Sequence, residues 1–287
     1  MKVYVLQMCS SPNVKDNLLF VQKQLLDTPT DLTNAIVVLP ECFAAFGAGD
    51  SKNLDIAEPL DDGRIQTQLA SLARQYSIYL VAGTFPILKD IDQGYPNNDE
   101  GGRSKVRPMT LVYSPKGELI AHYQKIHLFD VDVEDGIGSY RESDNWQAGD
   151  SVVCFDTPFG KVGLAICYDL RFPGLFQTLR DEGVDVVLLP SAFTEKTGAA
   201  HWQVLLQARA IENQFFMVGC NQAGVHENGR ETFGHSMIID PWGTILLDAQ
   251  KELGVFGVNL KLDSLINIRQ SMPVQKHNKF VSRYNDK

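Results

Sequence analysis

Two nearly unbroken aliphatic segments restrict this chain more than any other feature of its sequence. AIVVLPE (residues 35–41) and VVLLPS (186–191) each end in Leu-Pro followed by a polar side chain. Continuous apolar runs of this kind are strands covered on both faces, as happens when helices flank a sheet. Shorter strand patterns fall near residues 2–8, 78–85, 107–114, 117–125, 161–167, 215–220, 232–239 and 254–260, with amphipathic helix patterns near 15–26, 65–76, 173–182, 199–213 and 262–270. That alternation predicts an α/β fold. The echo between the two runs predicts two similar halves facing each other, with functional residues gathered beyond the carboxyl ends of the strands. No linker rich in Pro, Ser or Gly interrupts the 287 residues, so residues 1–287 read as one domain.

Composition narrows the function classes. A formal net charge of -9, spread along the chain, works against binding nucleic acid or an anionic membrane. The opening MKVYVLQMCS has no basic stretch or apolar signal core, and no run approaches a membrane span. Five widely spaced cysteines, with no CxxC among them, predict reduced thiols in a cytoplasmic protein. No helical HxxxH pair supports zinc. The acidic stretch FDVDVEDGIGSYRE fails as a calcium loop, because counted from Asp130 its sixth position is Asp135 and its twelfth is Arg141. Two long loops, 89–106 and 129–150, have the length of functional lids.

Three residues stand out for chemistry. Cys167 ends the strand pattern VGLAIC, and Pro173 suits the first turn of the next helix. A cysteine ending an apolar strand is by itself an ordinary small buried hydrophobe. On a strand-to-helix turn, however, backbone N–H groups and the helix dipole can lower a thiol pKa and hold an oxyanion. Glu41 sits at the mouth of a buried strand, where desolvation tunes a carboxyl towards acid/base work. Cys42 is a rival nucleophile, but strict strand alternation would send it to the face opposite Glu41. In ELIAHYQKIHLF, period two puts Lys125 on the apolar face with Leu119, Ala121 and Tyr123, where an ammonium has to be paired or working. Tyr123 and His127 read as structural neighbours. Glu142 reads, on spacing alone, as a surface acid. In the helix around residues 199–213, Trp202, Leu205, Leu206 and Ala210 form a packing stripe, and Arg209 and Glu212 are placed to pair.

Taken together, LPECF, YQKIHLF and GLAICYDLRFP resemble the three signatures of the nitrilase (carbon–nitrogen hydrolase) superfamily, in its order Glu, Lys, Cys. QARAIENQFF, FGHSMIIDPWGTIL and IRQSMPVQKH are similar to further family segments, so the resemblance covers nearly the whole chain. HLFDVDV, SYRESD and CYDLRFP resemble its Nit branch, the deaminated glutathione amidases first and the omega-amidases next.

The resemblance implies a four-layer α-β-β-α sandwich and assembly into homodimers or larger homo-oligomers. It implies an amidase with Cys167 as nucleophile, Glu41 as general base and acid, and Lys125 with the backbone N–H of Tyr168 as oxyanion donors. It raises Glu142 to a fourth site residue that places substrate and water. Arg171 and Arg141 are the candidates to receive a substrate carboxylate, although Arg171 could instead pair with Asp169. No metal or organic cofactor is called for. The expected substrate is a small carboxylate-bearing amide, deaminated glutathione first, cleaved through a thioester with release of an amine or ammonia. The alternatives are an omega-amidase acting on alpha-ketoglutaramate, a nitrile-cleaving relative, or a silent binding protein on the same fold.

Overall fold

The structure is a computed structural model that describes residues 1–47, 49–88, 105–133 and 138–281. In chain order its strands are β1 (Lys2–Gln7), β2 (Ile36–Val38), β3 (Tyr79–Ile87), β4 (Arg107–Tyr113), β5 (Leu119–Gln124), β6 (Asp130–Val133), β7 (Gly138–Arg141), β8 (Cys154–Thr157), β9 (Gly160–Leu164), β10 (Val186–Ser191), β11 (Phe216–Asn221), β12 (Ala223–Val225), β13 (Glu231–Phe233), β14 (Met237–Ile239), β15 (Ile245–Asp248) and β16 (Gly254–Asn259). The helices are α1 (Val14–Asp27), α2 (Asp50–Asp55), α3 (Arg64–Tyr76), α4 (Pro173–Asp181), α5 (Glu195–Thr197), α6 (Gln203–Asn213), α7 (Asp263–Ser271) and α8 (Val274–His277).

Twelve of the strands form two six-stranded sheets, ordered β16-β1-β2-β3-β4-β5 and β8-β9-β10-β11-β14-β15. Along each order the neighbouring pairs run antiparallel, parallel, parallel, antiparallel, antiparallel. The two aliphatic runs of the sequence are the equivalent strands β2 and β10, so the halves repeat one plan. Alternation then sorts the side chains. Val3 and Val5 of β1 join Val162, Leu164 and Leu188 of the second sheet in one core. Leu6, Val37 and Leu80 face the other way, onto Leu18 and Val21 of α1 and Leu69 and Leu72 of α3. On the far side, Phe176 of α4 and Leu206 and Ala210 of α6 close the second sheet. The layers are α-β-β-α, as the resemblance implied.

Several sequence expectations are refined. The strand expected over 232–239 is broken into β13 and β14, because Gly234 and His235 turn the chain with φ of 72° and 51°. The helix expected over 199–213 opens as a π-helical stretch, Gly198–Trp202, before α6 begins. The loop expected over 129–150 holds the β6–β7 hairpin and a 3-10 turn, Glu142–Asp144. Most of the other long loop, residues 89–104, lies outside the described residues. Among the described residues no helix is long and apolar enough to cross a membrane.

Candidate active site

Four loops that leave the ends of strands meet over one edge of the sandwich. Glu41 lies just beyond β2, Lys125 just after β5, Glu142 after β7, and Cys167 beyond β9 at the start of a 3-10 turn, Cys167–Arg171. The Glu41 turn is held from below and behind. A side chain at Gly83 would stand 2.7 Å from the Leu39 carbonyl oxygen and overlap that of Pro40, so only glycine lets β3 pass this closely. Gln222 donates to the Glu41 carbonyl at 2.9 Å.

Lys125 is almost wholly buried, and its ammonium is shared by two carboxylates. Its Nζ lies 2.8 Å from Glu41 Oε1 and 2.9 and 2.8 Å from the two oxygens of Glu142. Burial pulls the lysine pKa down, but Glu142, Glu41 and Cys167 outweigh it and hold the pKa well above normal, so the ammonium stays charged. Glu142 also accepts from the Phe129 N–H at 2.6 Å. Burial raises the Glu142 pKa, opposed by Lys125.

Cys167 has a φ of 44°, a left-handed turn that lifts the residue out of its strand and starts the 3-10 turn. Its thiol pKa is raised well above normal by burial and by the nearby Glu41 charge, against smaller opposing effects of Lys125 and a hydrogen bond from the Ala192 N–H. The Glu41 side chain thus favours the neutral S–H. At rest the arrangement is a neutral thiol in the same cavity wall as a carboxylate and an ammonium. The N–H groups of the first turn, Tyr168 among them, lack helical acceptors by construction.

Asp169 ties the nucleophile turn to the lysine. Fully buried, it accepts from Tyr123 Oη (2.8 Å), the Ile166 N–H (2.8 Å), the His127 N–H (3.1 Å) and His127 Nδ1 (2.7 Å). Tyr123 and His127 flank Lys125 by two residues on either side, so this carboxylate fixes lysine and cysteine against each other. Arg209 of α6, which pairs with Glu212 at 2.9 Å, also secures the Leu170 carbonyl at 3.0 and 2.8 Å. The sequence hinted at Tyr123 and His127 as structural neighbours, but nothing in its spacing showed that Asp169 was the hub.

The four loops enclose a cavity of about 320 Å³, in the range of small-molecule sites. Glu41, Lys125, Glu142 and Cys167 line it, as do Tyr168, Arg171 and Arg141. Arg171 does not pair with Asp169. It contacts His201 Nδ1 at 3.2 Å and lies over the rings of Tyr168 and Phe193 at 5.8 and 5.4 Å. The guanidinium of Arg141 is occupied by Asp132 at 2.8 Å and by the carbonyls of Val131 and Tyr140.

Cys42 requires a correction. It lines the same cavity as Glu41, because β2 ends at Val38 and a turn with φ of 57° at Cys42 replaces the alternation assumed from the sequence. Its thiol pKa is pushed up to about 12, by burial first and by the Glu41 charge second. Arg230 lines the cavity too, and the sequence gave no sign of it.

With this geometry in view, comparison with known proteins becomes decisive. The sequence profile of the carbon–nitrogen hydrolase family matches residues 2–270. The chain belongs to the carbon–nitrogen hydrolase family. Curated relatives of this hydrolase include a deaminated glutathione amidase of Yersinia enterocolitica, 39% identical over 98% of this chain and 93% of the relative. One from a Synechocystis strain is 40% identical over 98% of this chain and 100% of the relative. Among solved structures, Saccharomyces cerevisiae Nit3, described as a member of branch 10 of the nitrilase superfamily, superposes with a TM-score of 0.81 at 28% identity, covering 98% of this chain and 97% of its own. The Caenorhabditis elegans NitFhit protein does so with a TM-score of 0.84 at 31% identity, covering 99% of this chain and 67% of its own.

Proposed function

We propose that this carbon–nitrogen hydrolase is a thiol amidase for a small carboxylate-bearing amide, deaminated glutathione above all, and that Cys167, Glu41, Lys125 and Glu142 perform the reaction. The observation that carries the reading is the buried cluster in which Lys125 bridges Glu41 and Glu142 in the cavity wall that also holds Cys167, whose thiol feels the charges of Glu41 and Lys125. The names of the curated relatives support the substrate, and the cavity volume suits a molecule of that size.

The steps follow from the contacts. Glu41 takes the thiol proton as the sulfur forms a bond to the amide carbon, and the carbonyl electron pair moves onto oxygen. An ammonium has three protons. One serves Glu41 and one is shared between the two oxygens of Glu142, which leaves the third for that oxyanion, together with the Tyr168 N–H. As the carbonyl re-forms, the C–N bond breaks and Glu41 returns its proton to the leaving nitrogen. A water positioned by Glu142 then gives a proton to Glu41 and attacks the thioester. The tetrahedral intermediate collapses, the C–S bond breaks, and the sulfur recovers its proton from Glu41, which returns both groups to their starting states. Arg171, seated on two rings with no carboxylate partner among the described residues, receives a substrate carboxylate.

The same reading takes residues 1–287 as one domain of a cytoplasmic protein that assembles into homodimers or larger homo-oligomers. The test is acid-quenched mass spectrometry with deaminated glutathione, alpha-ketoglutaramate and a simple nitrile as substrates. An acyl adduct on Cys167, absent in Cys167→Ala, is expected. An adduct on Cys42 would overturn the nucleophile, and a preference of about tenfold or more for either other compound would overturn the substrate.

A further inference from the structure

The cavity holds a cation for which the reaction above has no use. Arg230 follows the turn of the β12–β13 hairpin, and its backbone is fixed by the His226 N–H donating to its carbonyl at 2.9 Å and by its own N–H donating to Asn228 Oδ1 at 3.1 Å. Its guanidinium lies over two aromatic rings, Phe46 at 4.9 Å and Tyr140 at 5.0 Å. Nη2 donates at 3.0 Å to the carbonyl of Ala192, which lines the cavity together with Cys167. Nε is buried with no hydrogen-bond partner, and no carboxylate pairs with this arginine among the described residues. Buried N–H donors are almost always paired, so this unpaired one marks a cation whose hydrogen bonding the folded chain leaves incomplete.

Charge points the same way. Within the cavity Lys125 is outnumbered by Glu41 and Glu142, and Arg141 is neutralised by Asp132. An anionic ligand entering there meets two carboxylates, and among the described residues Arg171 and Arg230 are the cations left to offset them. With two rings near its Cζ and one Nη2 bond spent on Ala192, Arg230 keeps further N–H donors, and a guanidinium can bind a carboxylate through two parallel bonds.

We infer that Arg230 is a specificity-determining residue that binds a carboxylate of the substrate remote from the bond being cleaved. This deepens the proposed function and rests on it for the reaction, with Arg171 and Arg230 as separate receivers for an amide that carries two carboxylates. The contact to Ala192 holds the guanidinium against the same cavity wall that carries the nucleophile Cys167.

The test reads occupancy without turnover, so it stays separate from the choice of deaminated glutathione as substrate. Protection of Cys167 from iodoacetamide, read by peptide mass spectrometry, is titrated with glutarate and with its neutral counterpart glutaramide (the diamide). The proteins are wild type, Arg230→Met and Arg230→Lys. Glutarate is expected to protect wild type, to weaken about tenfold or more in Arg230→Met, and to fall between them in Arg230→Lys. Glutaramide is expected to protect wild type and Arg230→Met alike, which controls for a wall that has collapsed. The inference is overturned by glutarate protecting wild type and Arg230→Met equally, by its failing to protect wild type, or by glutaramide losing as much as glutarate. Loss of turnover on deaminated glutathione with protection intact would instead count against the proposed substrate.

Discussion

Replacing Asp169 with Asn tests the link between the nucleophile turn and the lysine. Each carboxylate oxygen accepts one main-chain and one side-chain donor: Oδ1 from the His127 N–H and Nδ1, Oδ2 from the Ile166 N–H and Tyr123 Oη. An amide has one acceptor oxygen and one NH2 group, so in either orientation its NH2 faces a main-chain N–H. The side-chain partners can adapt, the tyrosine hydroxyl by rotating and the imidazole by changing tautomer, but the peptide cannot. One buried donor is therefore stranded, at a cost of about 1–3 kcal/mol, and the remaining bonds lose their charge assistance. The sum is about 3–5 kcal/mol of unfolding free energy. Because the stranded group lies two residues from Lys125 or one from Cys167, displacement of about 1 Å at the site is expected, with a loss of about a hundredfold in turnover. Urea unfolding monitored by circular dichroism gives the first number and amide hydrolysis the second. Tyr123→Phe, which leaves the carboxylate and both main-chain bonds intact, should cost only about 1 kcal/mol. Stability of Asp169→Asn within about 1 kcal/mol of wild type, or near-normal turnover, would refute the hub.

Two further outcomes follow from the charges. In Glu41→Gln, hydrolysis should fall at least about a hundredfold, as for removal of an acid/base group. Loss of the charge that helps to raise the Cys167 pKa should at the same time make that thiol react faster with iodoacetamide at pH 8; alkylation falling in step with turnover would mean that Glu41 does not favour the neutral thiol. His226 is buried between the Ser10 carbonyl and Thr232, and burial, with a smaller push from Arg230, lowers its pKa from 6.5 to about 4. The folded chain binds this proton less readily than the unfolded one, so the stability it supports is present above pH 6.5 and lost as pH falls from 6.5 to 4. That amounts to about 3 kcal/mol. The urea midpoint should drop over that window in wild type and less in His226→Gln; equal drops in the two would remove His226 as the cause.

The linear pattern alone determined a good deal. Aliphatic runs ending in Leu-Pro marked β2 and β10, because a strand buried on both faces tolerates no polar side chain. Period two put Lys125 on the inner face of its strand, and the Cys-to-Pro173 spacing marked a turn into a helix. Those signals are local, and the chain displays them directly. What the tertiary structure decided is everything that rests on contact between distant segments. Alternation fails beyond Val38, where a left-handed turn brings Cys42 into the cavity beside Glu41. Glu142 looks like a surface acid until the β6–β7 hairpin carries it to Lys125. Asp169 becomes a hub only when Tyr123 and His127 arrive from another strand. Arg230, on a hairpin tip far along the chain, has no local pattern at all, since its meaning comes from the two rings and the one carbonyl that the fold sets around it.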